Sequence, residues 1–472
     1  MSTGDFLTRR DWLRGGALSL SGVAMALMAR TATAATAPRG GTPSAPKAKR
    51  LIHLHMAGGP PQMDLFDPKP KLTEYDGKPC PAELLGSQKF AFIKGHPKIL
   101  GTRHPFANFG EAGRPLSKLL PNLGGVMDEL CVIRSMHTDE FNHAPAQLFL
   151  LTGHARFGRP SLGSWLSYGL GSSDRDLPAF VVLVTGDRNP DAGKACWGSG
   201  FLPSIHQGVQ FRSGQGDPVL FVNDPPGVDR PLRRNFLDAM RHLGESAFER
   251  EADPETLTRI AQWELAYRMQ MSVPKVTDLS KESAETLAMY GAEVGKPSFA
   301  SNCLLARRLV EQGVPVVELF DWGWDIHGTG PADDLMTQLP EKCKSVDRPI
   351  AALIKDLKRR GMLDETLILW TGEFGRTSMN EERDGSKFLG RDHNPNAFTV
   401  WMAGGGARRG TTIGETDELG SKSVRDLVHV RDLQATVLHL LGFDHRQLTY
   451  PHLGRDFRLT DIGGAVVHSA LA

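Results

Sequence analysis

Apolar residues recur along this chain in two rhythms, and their alternation predicts the architecture. Short apolar runs read as strands: residues 51–56 (LIHLHM), 130–133 (LCVI), 180–184 (FVVLV), 314–319 (VPVVEL), 366–370 (TLILW) and 398–402 (FTVWM). Runs that are apolar throughout suit strands covered on both faces. Between them the period lengthens to that of a helix. Ile350, Leu353, Ile354 and Leu357 fall at i, i+3, i+4 and i+7, and Gly361 supplies the stop. Helices are also predicted over 144–151, 163–170, 300–312 and 430–441. Strands alternating with helices predict an α/β fold, a mostly parallel central sheet with helices on both faces.

Two stretches break the rhythm. Gly, Pro, Ser and Asn dominate residues 189–228, which predicts an irregular insertion close to the functional face. Residues 231–250 and 254–271 then predict two charged helices, an excursion from the sheet rather than a separate domain. Together they place an insertion near 189–290 inside one domain running from 50 to 472, and no solenoid repeat is present.

The N-terminus reads differently. Thr8-Arg9-Arg10-Asp11-Trp12-Leu13-Arg14 sets paired arginines before an aromatic and a leucine. An uncharged run from Gly15 to Ala29 follows, and Ala32-Thr33-Ala34 offers small residues to a signal peptidase. That run is short of the ~20 apolar residues a spanning helix needs. Residues 1–34 are therefore expected to be a twin-arginine signal, removed on export to the periplasm or beyond. Residues 35–49, rich in Pro, Gly, Ala and Lys, predict a flexible stem. No later segment is long and apolar enough to span a bilayer.

Hydrophobic residues make up 40% of the chain and charged residues 23%, as in a globular protein, and the formal net charge is only +1. Such a balance offers no footprint for nucleic acid or anionic lipid. The five cysteines form no C-x-x-C, which argues against a thiolate zinc site. One or two disulfides are compatible with an oxidising compartment, and buried free thiols are the plainer expectation.

In an open parallel sheet, ligands gather beyond the carboxyl ends of the strands. Polar constellations fall beside the predicted strands here. Asp325 and His327 follow residues 314–319, spaced i and i+2 so that both can face one ion. Glu373 and Arg376 follow 366–370. Arg391, Asp392 and His393 precede 398–402. His143 lies where the helix over 144–151 should start, near backbone N–H groups that favour anions. Imidazoles with carboxylates suit Zn²⁺, Mn²⁺ or iron, whereas carboxylates alone would favour Mg²⁺ or Ca²⁺. The candidate metal ligands are Asp325, His327, Glu373, Asp392 and His393. His143 is the candidate acid, base or acceptor of the transferred group, and Arg376 and Arg391 are candidate clamps for anionic oxygens.

Several phrases carry a family resemblance: Gly58-Gly59-Pro60 through Asp67-Pro68-Lys69-Pro70, Asn142-His143 to Thr152-Gly153, Trp324-Asp325-Ile326-His327, Gly390-Arg391-Asp392-His393, Thr416-Asp417-Glu418-Leu419-Gly420, and the ending from Leu448 to Thr460. They resemble the bacterial domain-of-unknown-function family fifteen-oh-one, which is sulfatase-like and placed in the alkaline phosphatase superfamily. The resemblance implies an alkaline-phosphatase-like α/β sandwich in which Asp325, His327 and His393 match the first-metal Asp, His and His. Glu373 stands where that superfamily commonly has Asp. Two departures stand out. The sulfatase nucleophile position falls on His143, with Gln147 in place of Arg, and Ala57-Gly58-Gly59 replaces the usual Asp pair. Asp64 could substitute only if its loop folds back.

The leading expectation is an exported metal-dependent hydrolase of phosphate or sulfate esters, taking a small anionic ester or sulfated glycan. The alternative is an inactive sulfatase-like protein that binds sulfated or phosphorylated glycans. Other metal-dependent chemistry, a phosphoryl mutase or a redox reaction, is a third.

Overall fold

The computed structural model describes residues 45–85, 90–171, 176–186, 188–214, 217–220, 223–225 and 227–472. The signal expected over residues 1–34 lies outside the described residues, as does most of the stem.

The apolar runs become strands of one nine-stranded sheet. They are β1 (Arg50–Ala57), β2 (Leu130–His137), β3 (Phe180–Thr185), β4 (Val209–Phe211), β5 (Val316–Trp322), β6 (Thr366–Thr371), β7 (Phe398–Ala403), β8 (Thr411–Ile413) and β9 (Val428–His429). The order is β8–β2–β7–β6–β1–β5–β3–β4, and β9 also pairs with β2. All pairings are parallel except those of β7, which runs antiparallel to both β2 and β6. The fold is thus mixed α/β around a mostly parallel sheet.

Helices cover both faces, as full burial of parallel strands requires. The main ones are α1 (His143–Thr152), α2 (Leu162–Leu170), α3 (Arg230–Glu251), α4 (Pro254–Thr277), α5 (Phe299–Glu311), α6 (Gln338–Arg359) and α7 (Val430–Leu440). One core joins Ile52 and Leu54 of β1 to Leu304 of α5 and Leu353 of α6. The other joins Leu51 to Leu151 of α1, Leu166 of α2 and Leu438 of α7. Alternation along β1 assigns its side chains to the two cores in turn.

Three expectations change. The strand expected over 314–319 runs on to Trp322, so Asp321 lies inside β5, fully buried. The irregular stretch over 189–228 contains β4, which extends the parallel sheet beside β3. The end of the expected stem is held in place: the N–H groups of Lys47 and Ala48 donate to Leu440 O (3.1 and 2.9 Å), and that of Lys49 to Glu365 O (2.8 Å). All five cysteines are buried and free. Among the described residues no helix is long and apolar enough to cross a membrane.

The direction of β7 positions the site. A crossover to a parallel strand would put residues 390–394 at the far edge of the sheet. Because β7 is antiparallel to β6, the segment before it starts at the rim where β6 ends. Residues after β1, β2, β5 and β6 meet it there.

Candidate functional site

At that rim, β1 is followed by Gly58, whose φ of +117° lies in a region side chains avoid. A Cβ there would strike the backbone of Asp325 and Trp324. Its N–H instead donates to both carboxylate oxygens of Glu373 (3.0 and 3.2 Å). The short antiparallel pair His393–Arg376 and Asn394–Gly375 folds the two β6–β7 segments against each other. These close approaches bring distant residues to one point.

Four of them converge. One ligand atom from each of His143, Asp325, His327 and His393 lies within 4.8 Å of all the others. Asp325 Oδ1 is the common centre, 2.6 Å from His327 Nε2, 3.1 Å from His143 Nε2 and 3.4 Å from His393 Nε2. Each histidine is held from behind through Nδ1: His143 by Glu373 Oε1 (2.6 Å), His327 by Glu381 Oε2 (2.5 Å) and His393 by the carbonyl of Phe141 (2.7 Å). Carboxylates and carbonyls accept, so each Nδ1 carries a hydrogen and Nε2 is the atom that each ring turns inward. The Nε2 atoms of His143 and His393 are buried without a hydrogen-bond partner. Metal-ligating histidines have this arrangement, one nitrogen fixed by an acceptor and the other free to coordinate. Three imidazoles and one carboxylate suit a divalent transition ion better than Mg²⁺ or Ca²⁺. The residues fit the metal that the family resemblance implies.

Without an ion the charges compensate one another. Burial opposes ionisation of Asp325, but Arg376 and the three histidines hold its carboxyl far below the usual range. Burial likewise disfavours protonated His143, yet Asp325 and Glu373 raise it to about 9. Burial dominates at His393 and lowers it to about 4. Glu373, fully buried, is brought down to about 2 by His143 and His55 despite the cost of desolvation. Asp325 is the most open of the cluster, with 23% of its side chain exposed against 13% for His143. Phe92 packs edge-on against His327 and His393, and Phe374 lies 4.5 Å from the His393 ring centre.

The other sequence-predicted residues take different places. Glu373 is not among the four clustered groups; it supports His143 and also accepts from Gln147 Nε2 (3.3 Å). Asp392 groups with His327 and Glu381 and accepts the N–H groups of Phe92 and Ile93 (2.8 and 3.0 Å). Arg376 is buried, bonded to the carbonyls of Gly58, Gly59 and Arg391, and reaches Asp325 Oδ1 at 2.5 Å. It therefore neutralises Asp325 from beneath rather than standing free for a ligand. Arg391 corrects its expected role outright. It is fully enclosed, paired with Asp64 (2.7 and 3.2 Å) and bonded to the carbonyls of Thr377 and Leu100, so it clamps no ligand. The same pair removes Asp64 from the site.

Residues that the sequence did not single out complete the surroundings. Glu381 holds His327, and His55 Nε2 lies 3.5 Å from Glu373 Oε2. Asp191 meets Gln147 Nε2 at 3.4 Å and Arg188 Nη2 at 3.6 Å. Arg188, largely exposed, stacks over Trp322 at 3.8 Å. Only His55 left a trace in the sequence, a second histidine at i, i+2 within an otherwise apolar strand.

Comparison with curated proteins finds no match. Among solved structures, similar chains include a protein in the alkaline phosphatase superfamily from Vibrio parahaemolyticus (12% identity, 87% of this chain and 71% of that one, TM-score 0.37). Others are the PsFucS1 sulfatase from Pseudoalteromonas sp. (14%, 84% and 68%, TM-score 0.35) and the lipoteichoic acid synthase LtaP from Listeria monocytogenes (10%, 91% and 80%, TM-score 0.34). Likeness this remote assigns no residue a role. The sequence itself is more specific: residues 48–471 match the family described as "Protein of unknown function (DUF1501)", and the chain belongs to that family.

Proposed function

We propose that the chain is an exported metal-dependent hydrolase of phosphate or sulfate esters. One observation carries the reading: three histidines, each fixed through Nδ1, turn their Nε2 atoms toward Asp325 at a solvent-reached rim. His143, Asp325, His327 and His393 would hold a divalent ion, and three imidazoles with one carboxylate favour Zn²⁺ or Mn²⁺ over Ca²⁺ or Mg²⁺. A bound divalent ion supplies Lewis acidity that polarises an ester oxygen and stabilises developing negative charge. Glu373 and Glu381 keep His143 and His327 in the ligating tautomer. Arg376 keeps Asp325 ionised. Asp191, beside Gln147 at the edge, is the carboxylate assigned to accept a proton from attacking water. Arg188, whose guanidinium lies on Trp322 and 3.6 Å from Asp191, is an exposed cation for an anionic ester in place of Arg391.

A second reading is a binding protein for sulfated or phosphorylated glycans. It is favoured by the absence of any hydroxyl or thiol among the four clustered side chains and Glu373. Metal analysis of the exported protein, followed by turnover of an aryl phosphate and an aryl sulfate, separates the two. Hydrolysis that vanishes in Asp325→Ala together with the metal supports the enzyme. A retained ion with no turnover of either ester moves the chain to the binding class. Unchanged metal content in Asp325→Ala and His393→Ala overturns the ligand set.

A further inference from the structure

A line of buried polar residues runs from the metal cluster back into the sheet. Alternation along β1 puts His53 and His55 on one face. The register sets His53 beside Glu318 of β5 and His55 beside Thr371 of β6. All four side chains are at most about 3% exposed, in the middle of an otherwise apolar core. Glu318 Oε1 lies 2.9 Å from His53 Nδ1, His53 Nε2 lies 2.8 Å from Thr371 Oγ1, and Thr371 Oγ1 lies 3.0 Å from His55 Nδ1. His55 Nε2 then faces Glu373 Oε2 at 3.5 Å, and Glu373 Oε1 holds His143 Nδ1 at 2.6 Å. The three bonds from Glu318 to His55 offset the cost of burying these groups, whereas His55 Nε2 has no hydrogen-bond partner and meets Glu373 only electrostatically.

Donor counting gives this line a direction. Glu373 accepts from the Gly58 N–H, from Gln147 and from His143, and its carboxylate, 3.5 Å from His55 Nε2, favours a hydrogen over a lone pair on that nitrogen. His55 then carries its hydrogen on Nε2 and presents a bare Nδ1 to Thr371. The threonine hydroxyl must donate to that nitrogen and accept from His53 Nε2–H. What remains is His53 Nδ1 opposite a carboxylate oxygen of Glu318, a pair that bonds only if one proton is shared between them.

We propose that Glu318, His53, Thr371 and His55 are a positioning relay. The proton held by the buried Glu318–His53 pair sets the direction of the line, so that His55 turns an N–H toward Glu373 and steadies the carboxylate that holds His143 Nδ1. The inference rests on the metal-site reading for its consequence, but the polarity of the line can be read without any ion.

Two measurements test it. In protein labelled with ¹⁵N-histidine and free of metal, long-range ¹H–¹⁵N spectra are expected to show neutral His55 as the Nε2–H tautomer. An Nδ1–H tautomer for His55 would overturn the relay. The second measurement titrates Co²⁺ alone into parent, Thr371→Val and Thr371→Ser. Loss of the hydroxyl in Thr371→Val is expected to weaken Co²⁺ affinity about tenfold, near the lower end for outer partners of a ligating histidine, and to change the visible spectrum of the bound ion. Thr371→Ser, which keeps the hydroxyl, is expected to restore both. Folded Thr371→Val with parental affinity and spectrum would refute the positioning role. A parent that takes up no Co²⁺ while His55 is Nε2–H would remove the metal reading and leave the polarity of the line standing.

Discussion

Arg391 and His206 show how single groups set conditions for the whole chain. The Arg391 guanidinium is fully enclosed, with Asp64 as its counter-charge. Breaking a buried pair by removing one partner leaves an unpaired charge and costs about 3–5 kcal/mol. Arg391→Met is therefore expected to lower the unfolding free energy by about that amount in urea titrations. A change within about 0.5 kcal/mol, the range of surface substitutions, would show that Asp64 is hydrated. His206 stacks edge-on against Tyr168 at 5.6 Å, and its Nδ1 lies 3.0 Å from Ser167 Oγ. Burial lowers its pKa from 6.5 to about 4. With the folded value below the unfolded one, the unfolded chain binds more protons in that interval, so stability rises with pH there. The contribution of His206 is complete above 6.5 and drains away as pH falls from 6.5 toward about 4. Denaturation measured across that window is expected to show a shallower acid slope for His206→Gln than for the parent. Coincident profiles would assign the slope elsewhere.

At the scale of elements, the ends of β1 and β6 are as consequential as their interiors. Gly58 lets β1 turn away under the 324–325 segment while its N–H binds Glu373. A side chain there meets both an unfavourable φ, costing on the order of 1–3 kcal/mol, and the backbone of Asp325. Gly58→Ala is expected to melt at a lower temperature and to lose bound metal, because Asp325 is displaced from the three histidines. Parental metal content in a destabilised Gly58→Ala would mean that Asp325 follows the histidines independently of β1. The antiparallel β7 matters in the same way. It returns directly from the rim of β6, and so carries His393 to the side of the sheet where His143 emerges after β2.

For the molecule as a whole, the cluster ties together chain segments from residue 143 to residue 393. An ion bound there contacts only the folded state, so its binding energy adds to folding energy. At a free ion concentration a hundred times Kd the gain is about 2.7 kcal/mol. Thermal unfolding is expected to shift upward with the ion and back with a chelator, and Asp325→Ala is expected to abolish the shift. Equal shifts in parent and Asp325→Ala would place the bound ion elsewhere.

Local pattern alone determined a large share of this protein. The apolar runs predicted six of the sheet strands, and the i, i+3, i+4, i+7 spacing around Ile350 predicted α6, because burial and periodicity are properties of neighbours in sequence. Asp325 and His327 were legible as a pair for the same reason: two residues apart, they need only a short extended segment to face one point. What only the tertiary structure decided depends on distances between segments. The reversed direction of β7 brought His393 to the rim. Enclosure by Asp64 turned Arg391 from a presumed clamp into a buried ion pair. His53 and His55 read as core positions of a strand until the register set Glu318 and Thr371 beside them. Periodicity reports which face a side chain takes, whereas its chemical role is set by the groups that the fold places across from it.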